Sequence, residues 1–144
     1  MSKRELIAIN LADTLKASEP GYKFSIVTRE PFDFERLSNA QFPAILVRSA
    51  NENREDSTIG GSLTKRNATI DYQVVCYVKA KDIDKARNEA IQRIEEKLDA
   101  DRTRGGYALD TQIISIDADD GSIDPIGGVI ITVRCIYQFT RGAT

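Results

Sequence analysis

Strict alternation of apolar and other side chains in two separate stretches most constrains how this chain can fold. Apolar residues occupy every second position from Ile70 to Val78, and again from Val129 to Phe139. Successive side chains of a β-strand point to opposite faces of its sheet, so a period of two is typical of strands with one covered face. The two stretches therefore predict long strands in a sheet that is fully covered on one side only.

Three further segments have the composition of strands. The run Tyr22–Thr28 is a plausible first strand, and Ala44–Val47 is short and continuously apolar, as in a strand covered on both faces. Thr111–Ala118 and the strand from Val129 to Phe139 would form a β-hairpin with a broad turn at residues 119–128. After Pro31, we expect aromatic and apolar residues to pin the connection onto the core. These residues are Phe32, Phe34 and Leu37.

Two segments carry apolar residues at the three- and four-residue spacing of one helical face. The first begins with Ser2 and Glu5 at the spacing of a capping box and ends before the pair Pro20–Gly21. The second begins at Asp82 or Asp84, either of which can cap a helix. The apolar stripes are Ile7, Ala8, Leu11, Ala12 and Leu15 in the first helix and Ala86, Ala90, Ile91, Ile94 and Leu98 in the second.

The order α-β-β-β-α-β-β predicts an α+β fold, with a mainly antiparallel sheet of about five strands and two helices packed on one face. The length of 144 residues suits a single domain, residues 1–144. From Ala50 to Asn67 the chain is polar, which predicts a long loop at about residues 50–67. Long loops inside compact domains are usually functional or mobile.

The absence of histidine removes many mechanisms. Without it no Ser-His-Asp or Cys-His arrangement can form, and two cysteines cannot complete a structural zinc site. The glycine pairs match neither a dinucleotide fingerprint nor a P-loop. Cys76 and Cys135 lie in alternating apolar runs, so we expect buried free thiols. The sequence therefore predicts a protein that is not an enzyme and that binds no metal and no cofactor.

Charge and hydropathy limit the partners. A net charge of −2, with scattered lysines and arginines, argues against nucleic-acid binding. No apolar run approaches the ~18–20 residues of a membrane-spanning helix, and the N-terminus is a poor signal peptide, so we expect a cytoplasmic protein at synthesis. The acidic turn lacks the glycine and glutamate spacing of a calcium loop, and we interpret it as a solvated turn. Its residues are Asp117, Asp119, Asp120 and Asp124.

The whole chain resembles the tail terminator, or tail completion, proteins of long-tailed bacteriophages. The similarity lies in the layout: an opening helix near Leu6–Leu15, the strand Pro43–Val47, and then the polar excursion Ala50–Asn67. The strand Ile70–Val78, the second helix and a terminal strand that ends at Phe139 complete it. It is a pattern of lengths and periods without a sharp motif.

The resemblance implies a homohexameric ring that caps the tail tube, ends its polymerisation and offers a docking surface to the head–tail connector or neck protein. It implies assembly in the host cytoplasm and then a place in the virion. Apolar residues of the less covered sheet face would bind the neighbouring subunit, and the polar segment would contact the tube. These partner-binding candidates are Arg48, Asn51, Glu52, Arg54, Glu55, Asp56, Lys65, Arg66, Val75, Tyr77 and Ile130. The four aspartates of the acidic turn could line the ring's channel and repel DNA.

Two other functions fit the same sequence. A head-closure or neck joining protein of the virion would also form a ring, but it would bind the connector in place of the tube. A small-molecule-binding regulatory α+β domain would instead enclose an apolar pocket with a few convergent polar groups.

Overall fold

The computed structural model describes residues 1–17, 22–56, 65–121, 123 and 125–140. The helices and strands are α1 (Lys3–Lys16), β1 (Ile26–Thr28), β2 (Ala44–Asp56), β3 (Lys65–Lys79), α2 (Ile83–Asp99), β4 (Asp110–Ala118) and β5 (Ile126–Thr140). Two short 3-10 helices, Phe34–Arg36 and Asn39–Gln41, lie between β1 and β2. The α+β class and the order of elements predicted from the sequence are confirmed.

The two alternating stretches form the centre of a five-stranded sheet with the order β1-β2-β3-β5-β4. β3 and β5 pair antiparallel along their whole length, from Lys65 opposite Thr140 to Lys79 opposite Ile126. β2 pairs antiparallel with β3 on one side of this central pair, and β4 pairs antiparallel with β5 on the other. β1 pairs parallel with the start of β2. The sheet is therefore mainly antiparallel, as the alternation predicts.

Both helices cover the same face of the sheet, and the core lies between this face and the helices. Tyr72, Val74 and Cys76 of β3 and Ile131 and Val133 of β5 are fully buried on this face. They pack with the buried stripes of α1 and α2 in one apolar cluster. Burial of each large apolar side chain stabilises the fold by about 1.5–3 kcal/mol relative to exposure, so this one layer supplies most of the driving force.

Both helices start at predicted cap residues, but only the Ser2 half of the predicted capping box forms. The Ser2 hydroxyl accepts a hydrogen bond from the backbone N–H of Glu5 at 3.3 Å, and the Asp82 carboxylate accepts one from Lys85 N–H at 3.1 Å. The Glu5 carboxylate accepts two hydrogen bonds from the Arg29 guanidinium, at 2.6 and 2.9 Å. These hydrogen bonds hold the pKa of Glu5 below its usual value. Glu5 therefore joins α1 to the segment after β1 as well as starting the helix.

The prediction of a polar loop at residues 50–67 is wrong at both ends of that range, because both ends belong to strands. β2 continues to Asp56 and β3 begins at Lys65, and the two strands stay in register from Glu52 opposite Ile70 to Asp56 opposite Arg66. A β-bulge between Ser49 and Glu52 interrupts the alternation at this point, and a bulge shifts side chains to the other face. Residues 57–64 lie outside the described part of the chain.

Two expectations for the segment after the first helix need correction. The first strand is limited to Ile26–Thr28. Phe32 and Phe34 pack against Tyr77, with ring centroids 5.9 and 4.5 Å away. Tyr77 points away from the helices, because the alternate residues of β3 are the ones that face them. These aromatic residues therefore cover the opposite face of the sheet and not the core beneath the helices.

Both cysteines are buried and free, as predicted. Cys76 lies opposite Val129 and Cys135 opposite Ile70, which separates them by six residues of strand, about 20 Å. This distance excludes a disulfide bond between them. Burial raises the pKa of Cys76 to about 12 and that of Cys135 to about 11.

We expect neither thiol to react in the folded protein, because only the thiolate is nucleophilic and burial suppresses it. A disulfide-exchange reagent at about pH 8 should label no thiol in the native chain, and both thiols after denaturation in urea. Absorbance of the released thiol reports the count. Rapid labelling of the native chain would contradict the burial of these strands.

Candidate interaction surface

The sheet face opposite the helices, here called the open face, is divided into a polar half and an apolar half. In the polar half, Arg134 donates two hydrogen bonds to the Asp71 carboxylate, at 2.9 and 3.2 Å. Arg48 donates to the side-chain oxygen of Gln73 at 2.7 Å. These partly exposed pairs fix the orientation of long side chains across neighbouring strands, and each contributes only ~0–1 kcal/mol to stability.

An apolar groove of about 360 Å³ occupies the other half of the open face. Its walls include Phe34, Val75, Tyr77, Ile123 and Ile130. The Phe34 ring stacks on Tyr77 with an interplanar angle of 16°, so the segment before β2 closes one side of the groove. Desolvation raises the pKa of the Tyr77 hydroxyl above its usual value.

Of the predicted acidic turn, Asp117 and Asp119 line the rim of the same groove. Asp119 is partly buried: Arg87 donates both to its backbone oxygen and to its carboxylate, and Gly128 N–H donates to Oδ2 at 2.9 Å. This carboxylate therefore shapes the turn. Asp117 is exposed on the open face. Asp124 lies outside the described residues.

Most of the predicted partner-binding residues lie at the end of the sheet where β2 ends and β3 begins. Glu52 is nearly buried there: Tyr137 donates a hydrogen bond to it at 2.8 Å, Arg54 donates another, and Arg4 lies 3.9 Å away. The Arg54 guanidinium also lies 4.6 Å from the centre of the Phe139 ring. Burial, and then the hydrogen bond to Glu52, raise the pKa of Tyr137. Glu52 is thus a structural residue that fastens the end of β2 to β5 and α1.

Replacement of this carboxylate should weaken the sheet at that end. We expect Glu52→Ala to lower the free energy of unfolding by about 1–2 kcal/mol, because it leaves the Tyr137 hydroxyl and Arg54 without their acceptor. Glu52→Gln retains an acceptor oxygen and should cost less than half as much. Urea unfolding measures both changes. Equal losses in the two variants would assign the effect to charge and not to the hydrogen bond.

The predicted site residues therefore separate into two groups. Arg54, Glu55, Lys65 and Arg66 lie near the end of β5 that pairs with Lys65, and Asp117 lies opposite Ile130. The ten residues of β5 between these ends span about 33 Å. Asn51 lies in the bulge of β2, and for Asp56 the structure describes only the backbone. A single small partner cannot contact both groups.

Two of the predicted contact residues differ in how much surface they offer. Val75 is only 6% exposed, because the chain itself covers it, so it supports the groove from inside and has little surface for a partner. Tyr77 is half-buried under Phe34 and Phe32.

Sequence reasoning missed the exposed apolar residues of β4 and of the position just before it. Leu109 is 59% exposed, Ile116 42% and Ile114 40%. Ile114 is the extra residue of a β-bulge between Ile113 and Ser115. Ile116 lies opposite Ile131, on the helix side of the sheet, and remains 42% exposed there. In the sequence these isoleucines have the composition of core residues. Their exposure follows from the position of β4 at the edge of the sheet, which the sequence pattern does not indicate.

Both outer edges of the sheet lack a partner strand over long stretches of the described chain. β4 is the last strand of the sheet, so its edge away from β5 is unpaired. On the other side, β1 pairs only with Ala44–Leu46 of β2. The rest of β2, Val47–Asp56, is therefore called the distal half of β2, and its edge away from β3 is unpaired as well. Unpaired edges expose N–H and C=O groups that can pair with another chain.

Comparison with protein-family models gives no match, and comparison with curated proteins gives none either. Among the described residues no helix is long and apolar enough to cross a membrane. The same residues contain no cluster of three or more cysteine or acidic side chains placed to hold a metal ion.

Proposed function

We propose that this protein is a structural subunit that assembles head to tail into a ring and caps the tail tube of a long-tailed bacteriophage. In this role it ends tube polymerisation and offers a docking surface to the head–tail connector or neck. The layout of helices and strands in the sequence supports this assignment, and the α+β sheet has the element order on which that resemblance depends.

The observation that carries the proposal is the outer strand β4, whose unpaired edge exposes Ile114 and Ile116 with Leu109 beside them. Proteins that remain monomeric usually protect such a strand with charged residues, above all lysine, with proline, with a β-bulge or with a covering segment. β4 contains a bulge and two aspartates but neither lysine nor proline. Its exposed isoleucines favour a protein whose edge is covered by another chain.

A mass measurement and electron microscopy test this function. We expect the purified chain to form a closed oligomer, either alone or on the tube, and to bind one end of tubes polymerised from the tail tube protein of the same phage. Growing tubes should stop lengthening when the chain is added. If tubes lengthen unchanged and the chain binds the isolated connector instead, the protein is a neck joining protein. Binding to neither would contradict a place in the tail.

The apolar groove favours a second candidate function, a regulatory domain that binds a small apolar molecule. Its volume of about 360 Å³ lies within the range of ligand sites, and Asp117 adds a polar group at the rim. Ile130→Trp would fill the groove. If the protein is such a regulatory domain, the wild type binds an apolar fluorescent dye and Ile130→Trp does not. Neither protein then caps tubes.

A further inference from the structure

The two unpaired edges of the sheet are complementary in direction. β2 is antiparallel to β3, β3 to β5, and β5 to β4, so β2 and β4 run in opposite directions on opposite sides of one sheet. A second copy placed beside the first in the same orientation would therefore bring its β2 antiparallel to β4. Antiparallel edges can form a regular hydrogen-bonded ladder, which is slightly more stable per residue than a parallel one. The lengths also agree: β4 has 9 residues and the distal half of β2 extends from Val47 to Asp56.

The hydrogen-bonding groups of the two edges can be assigned from the structure. Asp119 N–H donates to Gly128 at 3.0 Å, so Asp119 faces β5. Backbone groups alternate sides along a strand, which turns the N–H and C=O of Ile116 outward. The carbonyl of Pro43 accepts from Ser25 N–H at 2.8 Å and thus faces β1. By the same alternation Ser49, six residues later, presents its N–H and C=O to the unpaired edge of β2.

We propose that β4 of one copy pairs with the distal half of β2 of a second copy, with Ile116 opposite Ser49, so that one continuous sheet crosses the junction. This inference rests on the proposed ring function and names the surfaces that build the ring. The junction is heterologous, because each copy uses two different edges. Such contacts form a ring when the rotation from copy to copy closes, as the proposed function requires.

Side-chain chemistry favours this register. It places Asp117 opposite Arg48 of the second copy, both on the open face. An acidic and a basic side chain directly opposite each other stabilise an antiparallel pair. It also places Ala118 opposite Val47, both on the helix side. Pairing by this register keeps the helices of both copies on the same side of the joined sheet.

Two proline variants test the pairing, because proline removes an outward N–H and is tolerated on an outer strand. Ile116→Pro blocks β4, and Ser49→Pro blocks β2. The matched controls Ile116→Ala and Ser49→Ala shorten the same side chains but keep the N–H. We expect the wild type and Ser49→Ala to assemble, and Ile116→Ala to assemble more weakly. Each proline variant alone should be monomeric by light scattering, with circular dichroism verifying that it is folded.

Mixing the two proline variants gives the decisive result. Each chain then keeps one intact edge, so an equimolar mixture should form a dimer of twice the monomer mass and nothing larger. If Ser49→Pro assembles alone, β4 pairs with β4 of another copy and the inference is wrong. A wild type that stays monomeric both at its solubility limit and in the presence of tubes, or a mixture that stays monomeric under conditions in which the wild type assembles, also overturns it.

Engineered cysteines test the register without proline. A non-hydrogen-bonded antiparallel pair has Cα atoms about 4.5 Å apart, within the range of a disulfide. Mixed Arg48→Cys and Asp117→Cys chains should therefore form a covalent dimer on mild oxidation, while the two buried native thiols remain unreactive. Asn53→Cys, on the same face of β2, is the matched control and should not cross-link to Asp117→Cys. Cross-linking of Asp117→Cys to itself would overturn the proposed pairing.

The two proposals fail in different ways. A wild type that caps tubes while the mixed variants form no dimer would contradict the strand pairing and leave the capping function standing. Assembly through the cross-linked junction by a chain that never binds tubes would leave the pairing standing and contradict the function.

Discussion

Arg104→Ala should lower the free energy of unfolding by about 3 kcal/mol, because it removes one of the largest fully buried side chains, leaves a cavity and takes the guanidinium donor away from two carbonyls. Arg104 follows α2, and its side chain is completely buried. Its Nη2 donates to the carbonyl oxygen of Leu98 at 2.5 Å and also to that of Asp101. These carbonyls lie at and just beyond the end of the helix, where the regular N–H donors of a further turn are absent. The Leu98 oxygen also accepts a long hydrogen bond from Asp101 N–H, at 3.4 Å.

The same arginine carries an internal cost that a second variant measures. Its Nε and Nη1 have no hydrogen-bond partner among the described residues, and burial lowers the pKa of its guanidinium. Arg104→Met keeps most of the volume and removes the buried charge. We therefore expect a loss well below that of Arg104→Ala, because a buried charge without full pairing opposes folding.

Backbone conformation must be separated from the side chain in this test. Arg104 has a φ of 51°, in the left-handed region that favours glycine. Arg104→Gly should therefore be less destabilising than Arg104→Ala by about 1 kcal/mol, although it removes one more carbon atom. Urea unfolding of the three variants gives the comparison. If Arg104→Ala unfolds within about 0.5 kcal/mol of the wild type, the buried arginine does not secure the end of α2.

The burial of Arg104 shows where sequence reasoning stops. An arginine between Thr103 and a glycine pair has the composition of an exposed turn, and charged residues are almost never fully buried without a partner. Its actual position depends on how the turn after α2 folds back to offer two carbonyls, which is a tertiary relation. No local pattern in the sequence carries that information.

The sheet was predictable where its alternation was uninterrupted. Ile70–Val78 and Val129–Phe139 keep a strict period of two and form the central pair. The distal half of β2 was missed because the bulge after Ser49 breaks that period and its side chains are polar. A polar strand can be stable there because Tyr137 and Arg54 satisfy Glu52 from neighbouring positions. The hydrogen bond from Tyr137 comes from β5, so the local sequence of β2 cannot reveal it.

The candidate surface was predictable only in part for a similar reason. Alternation assigned Tyr77 and Ile130 to the face opposite the helices, and both line the groove. It could not show that Phe34 would cross to that face, or that β4 would be the outermost strand. Both facts depend on strand order, which periodicity does not specify. The residues that carry the assembly proposal, Ile114 and Ile116, were therefore assigned to a strand but not to an edge.

Gly127→Ala should destabilise the protein by about 2–3 kcal/mol, since overpacking of a well-filled site forces neighbouring elements apart. A Cβ atom at Gly127 would lie 2.2 Å from Cγ2 of Ile83 and 3.3 Å from Cδ of Arg87, both in the first turns of α2. The helix must therefore move away from β5. Because Arg87 also holds Asp119, we expect the turn beside the groove to loosen together with the helix.

The neighbouring glycine supplies the matched control for this variant. A Cβ at Gly128 would lie 3.4 Å from the Tyr77 ring, an ordinary contact, so Gly128→Ala should change stability by less than about 1 kcal/mol. Ile83→Ala should relieve the clash, and the Gly127→Ala/Ile83→Ala double variant should therefore be more stable than the sum of the single losses predicts. Thermal and urea unfolding of the four proteins give this coupling. Additive losses would mean that α2 does not press on β5 at Gly127.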